Sequence, residues 1–237
     1  MFTTERYIEL LGALLALGYR ACDFLEARPD RRDLVLRHDL DVWPEYALPV
    51  AEAEASLGLA ASYFVLVTSP LYNPASAECR NALRRLVSLG HRIELHFDPV
   101  AVAAGVDRDA QAERECAWLS DITGIPVRIV SFHRPGPGLL NDPAPIAGRP
   151  HTYQPRFFSE MGYCSDSRGG WKDSAPLEHP SVTGGRALQL LTHPVWWRGH
   201  KTPQDALDAF MDDRVAALDA DLASNVSVYR PRDRRPA

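Results

Sequence analysis

Short apolar runs alternate with stretches whose apolar residues recur at helical spacing, and each run ends in polar residues. Tyr7, Leu10, Leu11, Leu14, Leu15 and Leu17 form one helix face, closed by Gly18 as a C-cap. A strand over 34–38 follows, then a helix over 44–57 opened by Pro44 and stopped by Gly58. Ser62 to Val67 reads as a buried strand, and a helix over 76–89 stops at Gly90. A strand over 92–97, a helix over 108–122 and a strand over 127–132 continue the series, with Gly124-Ile125-Pro126 as the last handover. Strands that alternate with helices in this way run parallel beneath a helical cover, so the expected class is α/β.

The pattern breaks between Pro135 and Pro155, where six prolines and three glycines fall without apolar periodicity. An irregular stretch of that length inside a compact fold is expected to be a binding loop at the rim. Strand character resumes over 162–165 and 186–192. A final helix opens at Thr202-Pro203 with Asp205 as its capping partner, and its apolar face is Leu207, Phe210, Met211, Val215, Leu218 and Leu222. No internal repeat interrupts the series. The expectation is one domain over 1–237, with a core at about 33–222 and a flexible basic tail over 230–237.

Composition narrows the partners. The chain has 237 residues, 46% hydrophobic and 24% charged, with a net charge of -5, so no basic footprint points to nucleic acid or anionic lipid. Its four cysteines are widely spaced and read as reduced. Leu10 to Leu17 is short like a signal-peptide core, but Glu5 and Glu9 precede it and Gly18-Tyr19-Arg20 follows. No run approaches the ~20 apolar residues that span a bilayer. A soluble, cytoplasmic protein is expected.

The candidate chemistry sits at the strand ends. Asp39, Asp41, His96, Asp98, His133 and His193 each follow a strand-like run, and parallel strands bring such ends to one rim. Asp39 and Asp41 are two apart, so an extended backbone points both to one side, suiting a pair in which one carboxylate binds metal and the other takes a proton from water. His96 and Asp98 repeat that spacing and are reasonable ligands for Zn²⁺, or for Co²⁺ or Mn²⁺. His193 is a candidate general acid. His133-Arg134 offers a ligand, a guanidinium that orients a carboxylate, or a turn, and Asp166 is a candidate partner for that arginine. Trp171, Trp196 and Trp197 lie near these ends and are candidates for stacking on a sugar ring.

Taken together, Leu36-Arg37-His38-Asp39-Leu40-Asp41, Ser62-Tyr63-Phe64, Gly90 to His96, Phe132-His133-Arg134-Pro135 and Leu191-Thr192-His193 resemble the NodB-type polysaccharide deacetylases of carbohydrate esterase family 4, especially the deacetylase-like proteins encoded with bacterial surface-polysaccharide genes. The resemblance covers about residues 33 to 200. It implies a distorted (β/α) barrel and removal of N- or O-acetyl groups with a divalent metal held by one Asp and two His. Asp39 then falls at the catalytic base, His96 at the first metal His and His193 at the catalytic acid. The chain departs from the motifs at Leu40, where the family has a second adjacent Asp, and at Val100, where it has the second metal His. Asp41 is the expected substitute ligand for the first, and Asp98 or His133 for the second. The function expected is metal-dependent deacetylation of a carbohydrate, a surface-polysaccharide precursor. The alternatives are a non-catalytic member that binds a glycan or partner, and a hydrolase of a non-sugar amide.

Overall fold

The computed structural model describes residues 1–231, so the expected tail lies outside the described residues from position 232 on. Seven strands, β1 (Arg20–Ala21), β2 (Asp33–Leu40), β3 (Ser62–Val65), β4 (Arg92–Phe97), β5 (Val130–Phe132), β6 (Gly162–Ser165) and β7 (Leu188–Thr192), form one sheet. Its order is β5-β4-β3-β2-β7-β6, with β1 beside the start of β2, and every pairing is parallel. The helices are α1 (Thr4–Ala16), α2 (Leu48–Ser56), α3 (Ala77–Ser88), α4 (Arg108–Thr123), α5 (Pro155–Phe158), α6 (Pro180–Thr183) and α7 (Pro203–Asn225). The sheet curls into the expected distorted (β/α) barrel, open between its edge strands β5 and β6.

The end of the Pro-rich stretch fills that opening. Val130 donates its N–H to the Pro150 carbonyl at 3.1 Å, and Thr152 donates to the Val130 carbonyl at 2.9 Å. From the other side, Gln189 on β7, next to the edge strand β6, donates its side-chain amide to the carbonyls of Thr152 and Phe157. Residues 149–157 thus stand in for the missing wall, which satisfies edge groups that would otherwise be stranded.

Strand alternation sorts β2 into two faces. Leu34, Leu36 and Leu40 face outward and join the main core beneath the helices with Leu11, Leu83 and Leu119. His38 shares this outer face and is fully buried, with its ring between Thr192 Oγ1 and Glu54 Oε1, both at 2.7 Å. Tyr7 and Tyr63 donate their hydroxyls to the same Glu54 carboxylate. Facing inward, Val35 packs in an apolar floor with Phe24, Phe64, Ile129 and Phe157. Above that floor lies Arg37, fully buried, then Asp39, and Asp41 at the rim.

Local chemistry explains most element ends. Ser76 and Asp107 cap α3 and α4, and Thr202 with Asp205 makes the expected capping box on α7. Gly90 and Gly124 take positive φ just past α3 and α4, as the expected stops require. Three differences from expectation have a visible cause. The helix over 44–57 divides into a 3-10 turn, Pro44–Ala47, and α2, because Pro49 at the second position of α2 has no N–H to continue the first turn. The strand over 127–132 shortens to Val130–Phe132, because Arg128 and Ile129 give their N–H groups to Glu94 Oε2 instead of to a neighbouring strand. On α7 only Ala206 and Phe210 are buried, so Leu207, Met211, Val215, Leu218 and Leu222 remain 37% to 55% exposed. The helix meets the body along its first half and as far as Ala217, with Asp213 accepting from the Tyr46 hydroxyl and the Arg214 guanidinium over Trp43. Among the described residues all four cysteines are free and no helix is long and apolar enough to cross a membrane.

Two stability measurements follow from the barrel interior. Arg37→Met leaves Asp39 buried without its guanidinium, so urea denaturation should show a loss of roughly 3–5 kcal/mol, and Arg37→Met/Asp39→Leu should recover part of it. Burial pushes Glu94 up to about 7 from an ordinary 4.5, against the two N–H donors and the Arg128 guanidinium. A carboxyl raised in the folded state favours folding at acid pH, and that contribution is lost as pH climbs through the folded value. Between about pH 4.5 and 7 the wild type should therefore lose roughly 3 kcal/mol that Glu94→Gln does not lose. Equal slopes in the two proteins would contradict this.

Candidate metal centre and acid–base site

Five of the expected residues meet at the rim formed by the C-terminal ends of the strands. Asp41 lies just past β2, with its Oδ1 3.2 Å from His96 Nε2 and 3.5 Å from His133 Nδ1. The ligand atoms of these three side chains lie within 4.8 Å of one another. On the other side of Asp41, Oδ2 is 3.6 Å from His193 Nε2. Asp39 lies one layer deeper, with Oδ2 3.6 Å from His96 Nε2. Period-two alternation puts Asp39 and Asp41 on one face, and the register of β4 and β5 pairs His96 with Ser131, whose hydroxyl meets His96 Nδ1.

The donor set fits a divalent metal. Asp41 Oδ1 is buried and has no hydrogen-bond partner, which is costly unless something else satisfies it. Tetrahedral ligands on bonds of ~2.0–2.1 Å stand ~3.3 Å apart, close to both Asp41–His spacings. Ser131 fixes the His96 ring from its far nitrogen, the outer contact that ligating histidines usually make. One carboxylate and two imidazoles also leave a position open for water or substrate.

Asp39 is held for another task. Arg37, two residues back on β2, donates from Nε to Oδ1 at 2.9 Å and from Nη2 to Oδ2 at 2.8 Å. Burial pushes the Asp39 carboxyl up, but Arg37 and His96 outweigh it and hold the group below the ordinary carboxylate range. Asp41 is likewise raised by burial, and the His133 and His96 rings beside it, with the charge of His193, bring it well below that range. His193 has the opposite tuning. Burial disfavours its cation, yet Asp166, with Asp41 and Asp39 behind it, raises it to about 9. Asp166 Oδ1 accepts from His193 Nδ1 at 2.7 Å, and the ring therefore points Nε2 into the site.

The remaining expected residues fall elsewhere. Asp98 is not in the cluster: its Oδ1 accepts the Val100 N–H at 3.0 Å, and its Oδ2 pairs with Arg134. Arg134 orients that carboxylate rather than Asp166, from a backbone with φ of 52°. Among the described residues Asp166 meets no arginine; it holds His193, and its Oδ2 accepts from Trp197 Nε1 at 2.8 Å. Trp171 is half-buried against Phe2 and Trp197, and Trp196 packs beside the cluster of Trp43, Tyr46 and Phe210. Val100, at the motif position of the second metal histidine, is 69% exposed. His133 reaches the cluster from the end of β5 instead. The residue that sequence reasoning missed is Arg37. Its signal was a charge within the apolar run Leu34-Val35-Leu36, on the same strand face as Asp39.

No family model matches this chain, and no curated protein matches it. Solved structures with a similar chain path include members of the family that the motifs resemble. One is BA3943, a CE4 family pseudoenzyme from Bacillus anthracis, 13% identical, covering 78% of this chain and 61% of its own, with a TM-score of 0.43. Another is the Streptococcus pyogenes deacetylase PplD in complex with acetate, 11% identical over 87% of this chain and 86% of its own, with a TM-score of 0.46. A third is a family 4 acetyl xylan esterase from Clostridium thermocellum with a cobalt ion, 15% identical over 78% and 84%, with a TM-score of 0.40. The chain spans 61% of the length of the first of these.

Proposed function

We propose that this chain is a metal-dependent hydrolase that removes an acetyl group from a carbohydrate. The observation that carries the reading is a division of labour: Asp41, His96 and His133 share one point, while a separate carboxylate and a separate imidazole flank it. The order of the strand-end motifs supports the acetylated sugar as substrate. Asp41, His96 and His133 would hold a divalent cation, Zn²⁺ or else Co²⁺ or Mn²⁺. When bound, such an ion supplies Lewis acidity to water and to the acyl oxygen.

The chain's own residues do the rest. Asp39, ionised at neutral pH, accepts a proton from the attacking water. Arg37 keeps it ionised and fixes both of its oxygens in place. His193, protonated at neutral pH, releases its Nε2 proton to the departing nitrogen or oxygen. Asp166 accepts from its Nδ1 and so holds the ring in the one orientation that aims Nε2 inward. A non-catalytic carbohydrate binder is the second reading, favoured by one observation: both Asp39 oxygens are already engaged by Arg37.

Metal content and acetate release separate these readings. Asp41→Ala and His133→Ala should each lose bound metal by elemental analysis, whereas Asp98→Ala should retain it. Retention by His133→Ala with loss by Asp98→Ala would reverse the assignment of the third ligand. Asp39→Asn should keep the metal and lower acetate release from acetylated sugars by ~10²–10⁴-fold, and His193→Ala should lose a similar factor, least on substrates with good leaving groups. Wild-type protein that binds an acetylated sugar yet releases no acetate with metal present would establish the binder.

A further inference from the structure

A cavity of about 680 Å³ opens beside the acid–base site. Two of its lining residues tie it to that site. Tyr153 accepts a hydrogen bond from Arg37 Nη2 at 3.3 Å, and Ser165 immediately precedes the Asp166 that holds His193. Tyr163 and Trp171 add aromatic wall, and Arg168 and Lys172 line the same space. Among the described residues no acidic side chain does so, although the chain as a whole carries a net charge of -5. Arg168 and Lys172 are exposed, and neither side chain has an ion pair or hydrogen bond among the described residues. Two nearby guanidiniums are committed, Arg37 to Asp39 and Arg134 to Asp98.

We infer that this cavity receives an anionic substituent, a phosphate or a carboxylate, carried by the sugar whose acetyl group is removed. The inference rests on the hydrolase reading for its orientation. His193 protonates the departing atom, and that atom belongs to the sugar. The sugar therefore lies on the His193 side, and whatever is attached to it extends into the cavity that Ser165 and Tyr153 line. There the aromatic walls offer faces for a ring, and two unpartnered cations offer charge-assisted hydrogen bonds to an anion. A neutral polymer would leave both cations unused. A phosphorylated or uronate-like sugar uses them.

The test is binding, measured by calorimetry on the full chain with three probes: N-acetylglucosamine 1-phosphate, N-acetylmuramic acid and the neutral methyl glycoside of N-acetylglucosamine. At low salt, at least one anionic probe should bind ~10-fold or more tighter than the neutral one, in line with charge-assisted contacts. The ratio should shrink as ionic strength rises. Comparison of the first two probes shows whether phosphate or carboxylate is preferred. Arg168→Gln/Lys172→Gln should abolish the preference while leaving the weaker neutral binding and the thermal midpoint unchanged, since both side chains are exposed. Equal binding of all three probes, no binding of either anionic probe, or a preference that survives the double substitution would overturn the inference. Asp41→Ala should keep the preference, because the anion does not depend on the metal centre. An anion preference in a protein that releases no acetate would sink the hydrolase reading and leave the anion site standing.

Discussion

The buried Arg37–Asp39 pair is the constraint around which the barrel interior is arranged. A guanidinium with no exposure to water must have its donors filled, since removing a charge from water costs several kcal/mol even after relaxation. Asp39 takes two of the bonds. Thr152, Gln189, Ser131 and Tyr153 take the others. Those partners come from β5, β7 and the segment that stands in the open seam, so satisfying one side chain ties that segment to strands from both halves of the curled sheet. Phe64 and Tyr153 lie against the guanidinium faces, with its carbon 5.3 and 5.1 Å from the ring centroids.

The same pair separates the two aspartates chemically. Asp39 and Asp41 share a strand face and a sequence neighbourhood, yet one lies deep against a cation and the other stands at the rim among imidazoles. Depth therefore assigns their different surroundings. His193 receives the contrary treatment, because Asp166 lies behind it and two more carboxylates lie in front. A carboxylate held ionised and an imidazole held protonated, within one small volume, is the arrangement that acid–base chemistry at neutral pH requires.

His38 shows how a one-residue step changes a role. It lies between Arg37 and Asp39, but its ring points to the outer face, where it stacks on Tyr63 at 4.4 Å and meets Glu54 of α2. Burial raises the Glu54 carboxyl, and the charge and hydrogen bonding of His38 outweigh that and lower it. This outer network fastens α1 and α2 to the sheet through Tyr7 and Tyr63, and so holds the strand whose inner face carries the site.

Local rules made much of this legible in the amino-acid sequence. Periodicity, caps and glycine stops located six of the seven strands and the longer helices, though not β1, α5 or α6, and the parallel alternation placed Asp39, Asp41, His96, His133 and His193 at a common rim. These features depend on neighbours within a few residues, which is why they can be read in order along the chain. Other features depend on partners far away in sequence. Glu94 shortened β5 from a neighbouring strand, and the seam-filling role of residues 149–157 required β5 and β7 together. The same holds for the choice between Asp98 and His133: both follow strands, but Arg134 reaches Asp98 while His133 turns toward Asp41. Arg37 was visible only as a charge in an apolar run. Its pairing with Asp39 across the inner face became necessary once the closed barrel removed water from both.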